Sequence, residues 1–204
     1  MISIVEYGLG NIQAIANIYK RLNIPVTAVT TPDQLFSAEK IILPGVGAFD
    51  RAMACLNASG MKDALGEAVI ARRVPVLGIC VGMQMMATRS SEGVLNGLDW
   101  IAGEVKKFDI ATASERAPLP HMGWNDVRPL RGEGLFGHLG SAARFYFLHS
   151  YYFRALNEEH VLAVTDYNGL YASSVNAGNV FGVQFHPEKS HHFGVQLLKN
   201  FAEI

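Results

Sequence analysis

Two short stretches carry side chains whose chemistry is complementary. Gly78-Ile79-Cys80-Val81-Gly82 sets a thiol between glycines, and His186-Pro187-Glu188 sets an imidazole two residues before a carboxylate. A thiol becomes a useful nucleophile when a base takes its proton, and an imidazole is a better base when a third group holds its orientation. Cys80, His186 and Glu188 could therefore act as nucleophile, base and orienting acid. A reactive side chain on a tight turn between a strand and a helix is the nucleophile-elbow pattern, here with sulfur in place of oxygen. Gly78 and Gly82 would let neighbouring backbone approach the turn closely. A helix beginning after Cys80 would aim free N–H groups at the sulfur and favour its thiolate. An extended backbone over 186–188 would point His186 and Glu188 the same way.

These groups must be positioned by a scaffold. Val74 to Ile79 is a short apolar, β-branched run that suits a strand buried on both faces. Met83 to Arg89 reads as the helix after it. Upstream, Ile2 to Val5, Pro25 to Val29 and Lys40 to Leu43 read as strands. Ile12 to Leu22, Phe49 to Leu56 and Met61 to Ala71 read as helices, and Thr31-Pro32-Asp33 as a further helix start. This alternation predicts an α/β fold: a mostly parallel central sheet with helices on both faces. Sites in such sheets form at the carboxyl ends of strands, where Pro44 to Gly47 and Gly78 to Gly82 both fall.

After Arg89 the texture changes. Trp100 to Phe108, Trp124 to Arg128, Arg144 to Leu148, Val161 to Thr165, Leu170 to Val175 and Val180 to Phe185 read as strands. Turns at Asn168-Gly169 and over Asn176 to Asn179 separate several of them. This half should extend the sheet with antiparallel or mixed strands, and Phe193 to Phe201 should close the chain as a helix. Asp109 to Pro120 is the most loop-like segment, too short to divide the chain, so 1–204 is expected to be one domain.

Composition narrows the function classes. Of 204 residues, 50% are hydrophobic and 17% charged, which argues against disorder. A net charge of −1 leaves no basic footprint for nucleic acid. The two cysteines lie far apart in sequence and suggest no disulfide framework. Cys55, among the apolar positions of a helix-like segment, reads as a packing residue. The first residues lack a charged, apolar leader, and no apolar run approaches the roughly 20 residues that cross a bilayer. A cytoplasmic location is expected. Gly8-x-Gly10 after the first strand falls short of a dinucleotide fingerprint, because position 13 is Gln13. No histidine–cysteine spacing suits a metal, and no cofactor is expected. His138 and His160 read as surface or structural, and His191-His192 as the exposed start of the last helix.

Gly78 to Gln84 together with Phe185-His186-Pro187-Glu188 resembles the class I glutamine amidotransferases. Tyr7-Gly8-Leu9-Gly10-Asn11, Leu43 to Phe49, Pro120-His121-Met122-Gly123-Trp124-Asn125, Tyr146 to Tyr151 and Lys189-Ser190 narrow the likeness. They are similar to the glutaminase subunits of imidazole glycerol phosphate synthases, in histidine biosynthesis. The resemblance runs end to end. Val81 and Leu148 depart mildly from the usual leucine and valine.

The resemblance implies that Cys80, His186 and Glu188 hydrolyse L-glutamine to glutamate and ammonia through a thioester. It implies backbone oxyanion donors at Val46, Gly47 and Val81, the glycine-bordered loop being able to flip a peptide. Gln84, Glu92, His149, Ser150 and Tyr151 would bind glutamine. Asn11, His121, Met122, Trp124, Asn125 and Lys189 would lie at or near the contact with a (β/α)8-barrel cyclase that receives the ammonia. Two alternatives stay open: a class I glutaminase feeding another synthase, such as one modifying a surface sugar, and a non-catalytic binding protein on the same scaffold.

Overall fold

The computed structural model describes residues 1–109, 118–140 and 142–204. Most of the expected Asp109–Pro120 loop thus lies outside the described residues. Four parallel strands open the sheet: β1 (Ile2–Val5), β2 (Val26–Val29), β3 (Lys40–Gly45) and β4 (Val76–Cys80). Every residue of β1 and β4 is buried, as their unbroken apolar runs require. Their spatial order is β2-β1-β3-β4. The step from β1 to β2 runs one way along the sheet and the step from β3 to β4 the other. With right-handed crossovers, helix α1 (Ile12–Arg21) covers one face, while α2 (Phe49–Ala58) and α3 (Lys62–Gly66) cover the opposite one. The helix expected over Met61 to Ala71 begins as α3 and ends in a wider π turn at Glu67–Ala71. The Thr31 start yields only a 3-10 segment, Pro32–Ser37.

The helix expected over Met83 to Arg89 is a correction. Here α4 spans Val81–Gln84, one turn starting directly after Cys80. Returning chain takes the next carbonyls: Leu98 N donates to Met85 O at 2.7 Å and Trp100 N to Met86 O at 2.9 Å. With those acceptors occupied the helix cannot continue, and Arg89 joins β5 (Arg89–Ser90). A one-turn helix also carries little dipole, so the expected helical support for a thiolate is weak.

The second half supplies β6 (Gly103–Lys107), β7 (His121–Asp126), β8 (Arg128–Pro129), β9 (Arg144–His149), β10 (Tyr151–Ala155), β11 (Val161–Asp166), β12 (Leu170–Ala177) and β13 (Val180–Val183). β13 lies beside β4 and parallel to it, with Gly182 opposite Gly78. β12 is antiparallel to β13, and the main path continues through β10 and β6 to β5. The sheet is therefore parallel at its centre and mixed beyond, as expected. Among the described residues, β7 and β9 form a separate antiparallel ribbon. The strand expected at Trp124 to Arg128 begins earlier, at His121, and β10 follows β9 after the single residue Ser150. Helix α5 (His191–Glu203) packs against α1, where Tyr19 Oη donates to Leu198 O at 3.0 Å. Among the described residues no helix is long and apolar enough to cross a membrane.

Candidate active site

The carboxyl ends of β3, β4 and β13 converge on one cavity of about 360 Å³, a size suited to a small ligand. Cys80 ends β4 and lies 3% exposed, with φ 55° and ψ −112°. A non-glycine residue held there stores about 1–3 kcal/mol of backbone strain and needs over-determined surroundings. The close packing of Gly45 and Gly82 supplies them. A Cβ on Gly82 would stand 1.9 Å from Leu43 O, and one on Gly45 would stand 2.5 Å from Gly82 N. Only bare backbone lets the elbow lie against the end of β3, where Gly45 is in register with Cys80.

His186 follows β13, with its backbone N donating to Tyr146 O at 2.9 Å. Ser190 Oγ donates to His186 O at 2.6 Å and accepts from Tyr146 N at 3.0 Å, fastening the 186–190 loop to β9. Glu188 lies in a 3-10 turn, Pro187–Lys189, not in extended chain. It reaches His186 because that turn folds back: His186 Nδ1 donates to Glu188 Oε1 at 2.9 Å. Asn11 Nδ2 donates to the same oxygen at 2.9 Å. Glu188 Oε2 is buried with no hydrogen-bond partner among the described residues.

His186 and Cys80 line the same cavity, and their side chains interact there. Burial alone would lower the affinity of His186 for its proton. The hydrogen bonds to Cys80 and Glu188, and their charges, outweigh that and raise it from 6.5 to about 10. Burial opposes the charge on Glu188 too, but the His186 hydrogen bond and charge, with Asn11, hold its carboxyl below the ordinary value. The structure thus brings Cys80, His186 and Glu188 together in one file.

Val46, Gly47 and Val81 line the cavity with Cys80, as do Gln84, Glu92, His149, Ser150 and Tyr151. Glu92 is partly committed: its Oε2 accepts from Phe49 N at 2.9 Å, at the start of α2. The ribbon strands sort the rest by alternation. Met122, Trp124 and Leu148 face outward, 65%, 40% and 39% exposed. Trp124 stacks on His191, and the exposed Lys189 sits over the Tyr146 ring. His121 points the other way and is 2% exposed, so its side chain does not reach the surface where the sequence placed it. Asn11 likewise turns to Glu188. Asn125 is half-buried and donates to Asp166 O at 3.0 Å.

Sequence reasoning passed over Gln184 and Tyr171, and gave Ser190 no role beyond the Lys189-Ser190 likeness. Gln184 is 0% exposed, and its Nε2 lies 3.8 Å from Cys80 Sγ. The available signal was a carboxamide inside the apolar run Val180 to Phe185, since a buried polar group demands partners. Ser190 and Tyr171 offered none without the fold.

Comparison with known proteins agrees with this geometry. The family model described as glutamine amidotransferase class-I matches residues 3–204. A protein from Bdellovibrio bacteriovorus named imidazole glycerol phosphate synthase subunit HisH is 58% identical over 204 residues, covering 100% of both chains. One of the same name from Leptospira interrogans is 48% identical, again over 100% of both. A crystal structure of a glutamine amidotransferase superposes with a TM-score of 0.76 at 20% identity, covering 100% of both chains. The chain belongs to the class I glutamine amidotransferase family.

Proposed function

We propose that the chain is the glutaminase subunit of an imidazole glycerol phosphate synthase, acting as one domain over residues 1–204 in the cytoplasm. The observation that carries the reading is the file Cys80–His186–Glu188, whose first two members line the cavity, in a chain 58% identical to a subunit of that name. The Cys80 sulfur attacks the side-chain amide carbon of L-glutamine, with its proton on His186. The C–N bond breaks, the amide nitrogen leaves with the proton from His186 as ammonia, and a thioester remains. Water then adds to the thioester as His186 takes its proton. The C–S bond breaks, the proton returns to sulfur, and glutamate departs.

Each addition places negative charge on the former carbonyl oxygen. Backbone N–H groups at Val81 and at Val46 or Gly47 are the donors proposed for it. Losing one such donor costs about 2.7–4 kcal/mol of barrier. Gln84, His149, Ser150 and Tyr151 hold the substrate, and Glu92 supports the same wall.

Ammonia set free in water near neutral pH becomes mostly ammonium, which is no nucleophile. Transfer therefore needs a dry route to a second active site. The partner proposed is a (β/α)8-barrel cyclase, docked on the outward face of the β7–β9 ribbon, which exposes Met122 and Trp124 and whose Leu148, paired with Met122, lines the cavity with Lys189. Apolar side chains exposed together beside a pocket suit a partner surface.

The test is glutamate release from glutamine, with and without a cyclase subunit and its ribonucleotide. Turnover should rise when the cyclase is present. Cys80→Ala should abolish it while still co-purifying with the cyclase. Undiminished turnover in Cys80→Ala would remove the nucleophile from the reading; failure to bind the cyclase would remove the partner.

A further inference from the structure

Behind the cavity wall, among the described residues, runs a chain of hydrogen bonds from the β7–β9 ribbon to the sulfur. We propose that Gln184 is a further catalytic residue, donating its carboxamide N–H to the Cys80 sulfur, and that Tyr171 is a positioning residue that acts through His149 on the Tyr151 carbonyl, the acceptor that anchors Gln84. The proposal rests on Cys80 being the nucleophile.

The direction of every bond follows from groups that can only accept. Gln84 Nε2 lies 3.0 Å from the Tyr151 carbonyl oxygen, so that end of the Gln84 side chain must be the NH2. The same nitrogen is 3.0 Å from Gln184, whose facing atom must then be Oε1. The Gln184 NH2 is left on the side of Cys80 Sγ, 3.8 Å away. The orientation of this amide is therefore dictated by its neighbours, without appeal to the similar shapes of N and O.

A second anchor orders the bonds from the far end, and the two runs meet at the Tyr151 carbonyl, which accepts from both. Asn125 Nδ2 faces the Asp166 carbonyl, so it is an NH2, and it lies 3.2 Å from His121 Nε2. That ring nitrogen must accept, so His121 carries its proton on Nδ1 and donates to Tyr171 Oη at 3.1 Å. Tyr171 then donates to His149 Nε2 at 3.2 Å. His149 Nδ1 donates to the Tyr151 carbonyl at 2.8 Å, the oxygen that Gln84 also uses. Both rings must be neutral for this order to hold. Burial favours that, pushing His121 down to about 4 and His149 to about 3. Phe147 and Tyr167 stack on either side of His121 and keep its ring in plane with the file.

The chemistry gives the donor a use. Sulfur carries negative charge before attack and again as the leaving group when the thioester breaks. In a site this buried, an unassisted charge is costly. The one-turn helix α4 offers little help, whereas an oriented carboxamide stabilises that charge at both moments.

The test uses the chain complexed with a cyclase subunit for turnover, and a Cys55→Ser background for alkylation of Cys80 by iodoacetamide. Gln184→Met removes the donor at similar size, and Tyr171→Phe removes one hydroxyl while keeping every ring contact. A long N–H···S bond should matter less than a full oxyanion donor, so Gln184→Met should lower kcat about tenfold and alkylation at pH 7.5 by a similar factor. In each variant kcat should fall further than KM rises. Tyr171→Phe should show a smaller loss of the same kind, and the double variant should be no worse than Gln184→Met alone.

Losses that multiply in the double variant would overturn the chain. Values within about twofold of the parent in Gln184→Met would overturn the catalytic assignment. If Gln184→Met does not fold, Tyr171→Phe decides, an unchanged kcat and alkylation rate overturning the proposal. A parent complex that releases no glutamate sinks the glutaminase reading instead, while the alkylation rates still report the contact with sulfur.

Discussion

Cys80 ends β4 and His186 follows β13, the parallel strand beside it, yet the two strand ends are built on different principles. At β4 the backbone itself makes the turn. Cys80 sits at φ 55°, and the strain is contained because Gly45 and Gly82 bring two backbones into contact. At β13 the chain leaves in an ordinary extended conformation, with His186 at φ −104° and ψ 95°. Its geometry is set afterwards by polar side chains: Ser190 to β9, and Asn11 to Glu188. The nucleophile is fixed by sterics, and its base and acid by hydrogen bonds. The first end should fail by refusing any added atom. The second should fail by loosening when a donor is removed.

Gly82→Ala is the sharpest way to test the steric end. The new Cβ would stand 1.9 Å from Leu43 O and 2.9 Å from Leu43 C, both backbone atoms at the centre of the sheet. Neither can give way as a flexible side chain would. A loss of about 3 kcal/mol in urea unfolding is expected, at the upper end for overpacking, together with loss of glutaminase turnover. A Gly82→Ala protein as stable as the parent would show that the elbow does not depend on this contact.

The two ends were also unequally legible from sequence. Gly-x-Cys-x-Gly after an apolar run states the steric solution in the residues themselves, because a fully buried parallel strand is apolar throughout and an elbow needs small neighbours. Even there the helix after Cys80 was overread, since Met85 to Ala87 look helical until the backbone of 98–101 takes their carbonyls. His186 and Glu188 were recognisable as a pair, but their spacing was assigned to extended chain, while the fold uses a 3-10 turn. Asn11 lies 177 residues from Glu188 in sequence, and Tyr171 meets two histidines from another ribbon. No local pattern encodes such meetings. The parallel half was readable because its strands are continuous apolar runs. β10 was missed because only Ser150 separates it from β9, and the change of sheet at that residue is a tertiary event.

Asn11→Ala probes the polar end. Among the described residues it leaves His186 as the one side chain donating to Glu188 Oε1, while Oε2 is already without a partner. A hydrogen bond to a charged group contributes about 1.5–3 kcal/mol, and the partial exposure of Asn11 argues for the lower figure. Turnover should fall by about tenfold and stability by about 1.5 kcal/mol, with affinity for the cyclase preserved. Weaker binding to the cyclase with unchanged glutamate release per complex would instead return Asn11 to the partner surface, where the sequence first placed it.

A further probe of the polar end is the pH dependence of stability. His186 has its proton affinity raised from 6.5 to about 10 in the folded chain. A group raised in this way stabilises the fold fully below its unfolded value, and the stabilisation drains away as pH climbs through the folded one. Glu188, held below its ordinary value, works in the opposite sense, contributing above that value and losing its contribution in acid. The stability difference between the parent and His186→Gln should therefore shrink between about pH 6.5 and about 10. Cys80→Ala should flatten that slope, since the sulfur supplies part of the rise. Asn11→Ala should barely change it, because Asn11 acts on Glu188 and not on the ring. A parent-minus-variant difference that stays constant across this range would mean that the ring is not held charged by its neighbours. The polar end would then owe its geometry to the Ser190 and Tyr146 contacts alone.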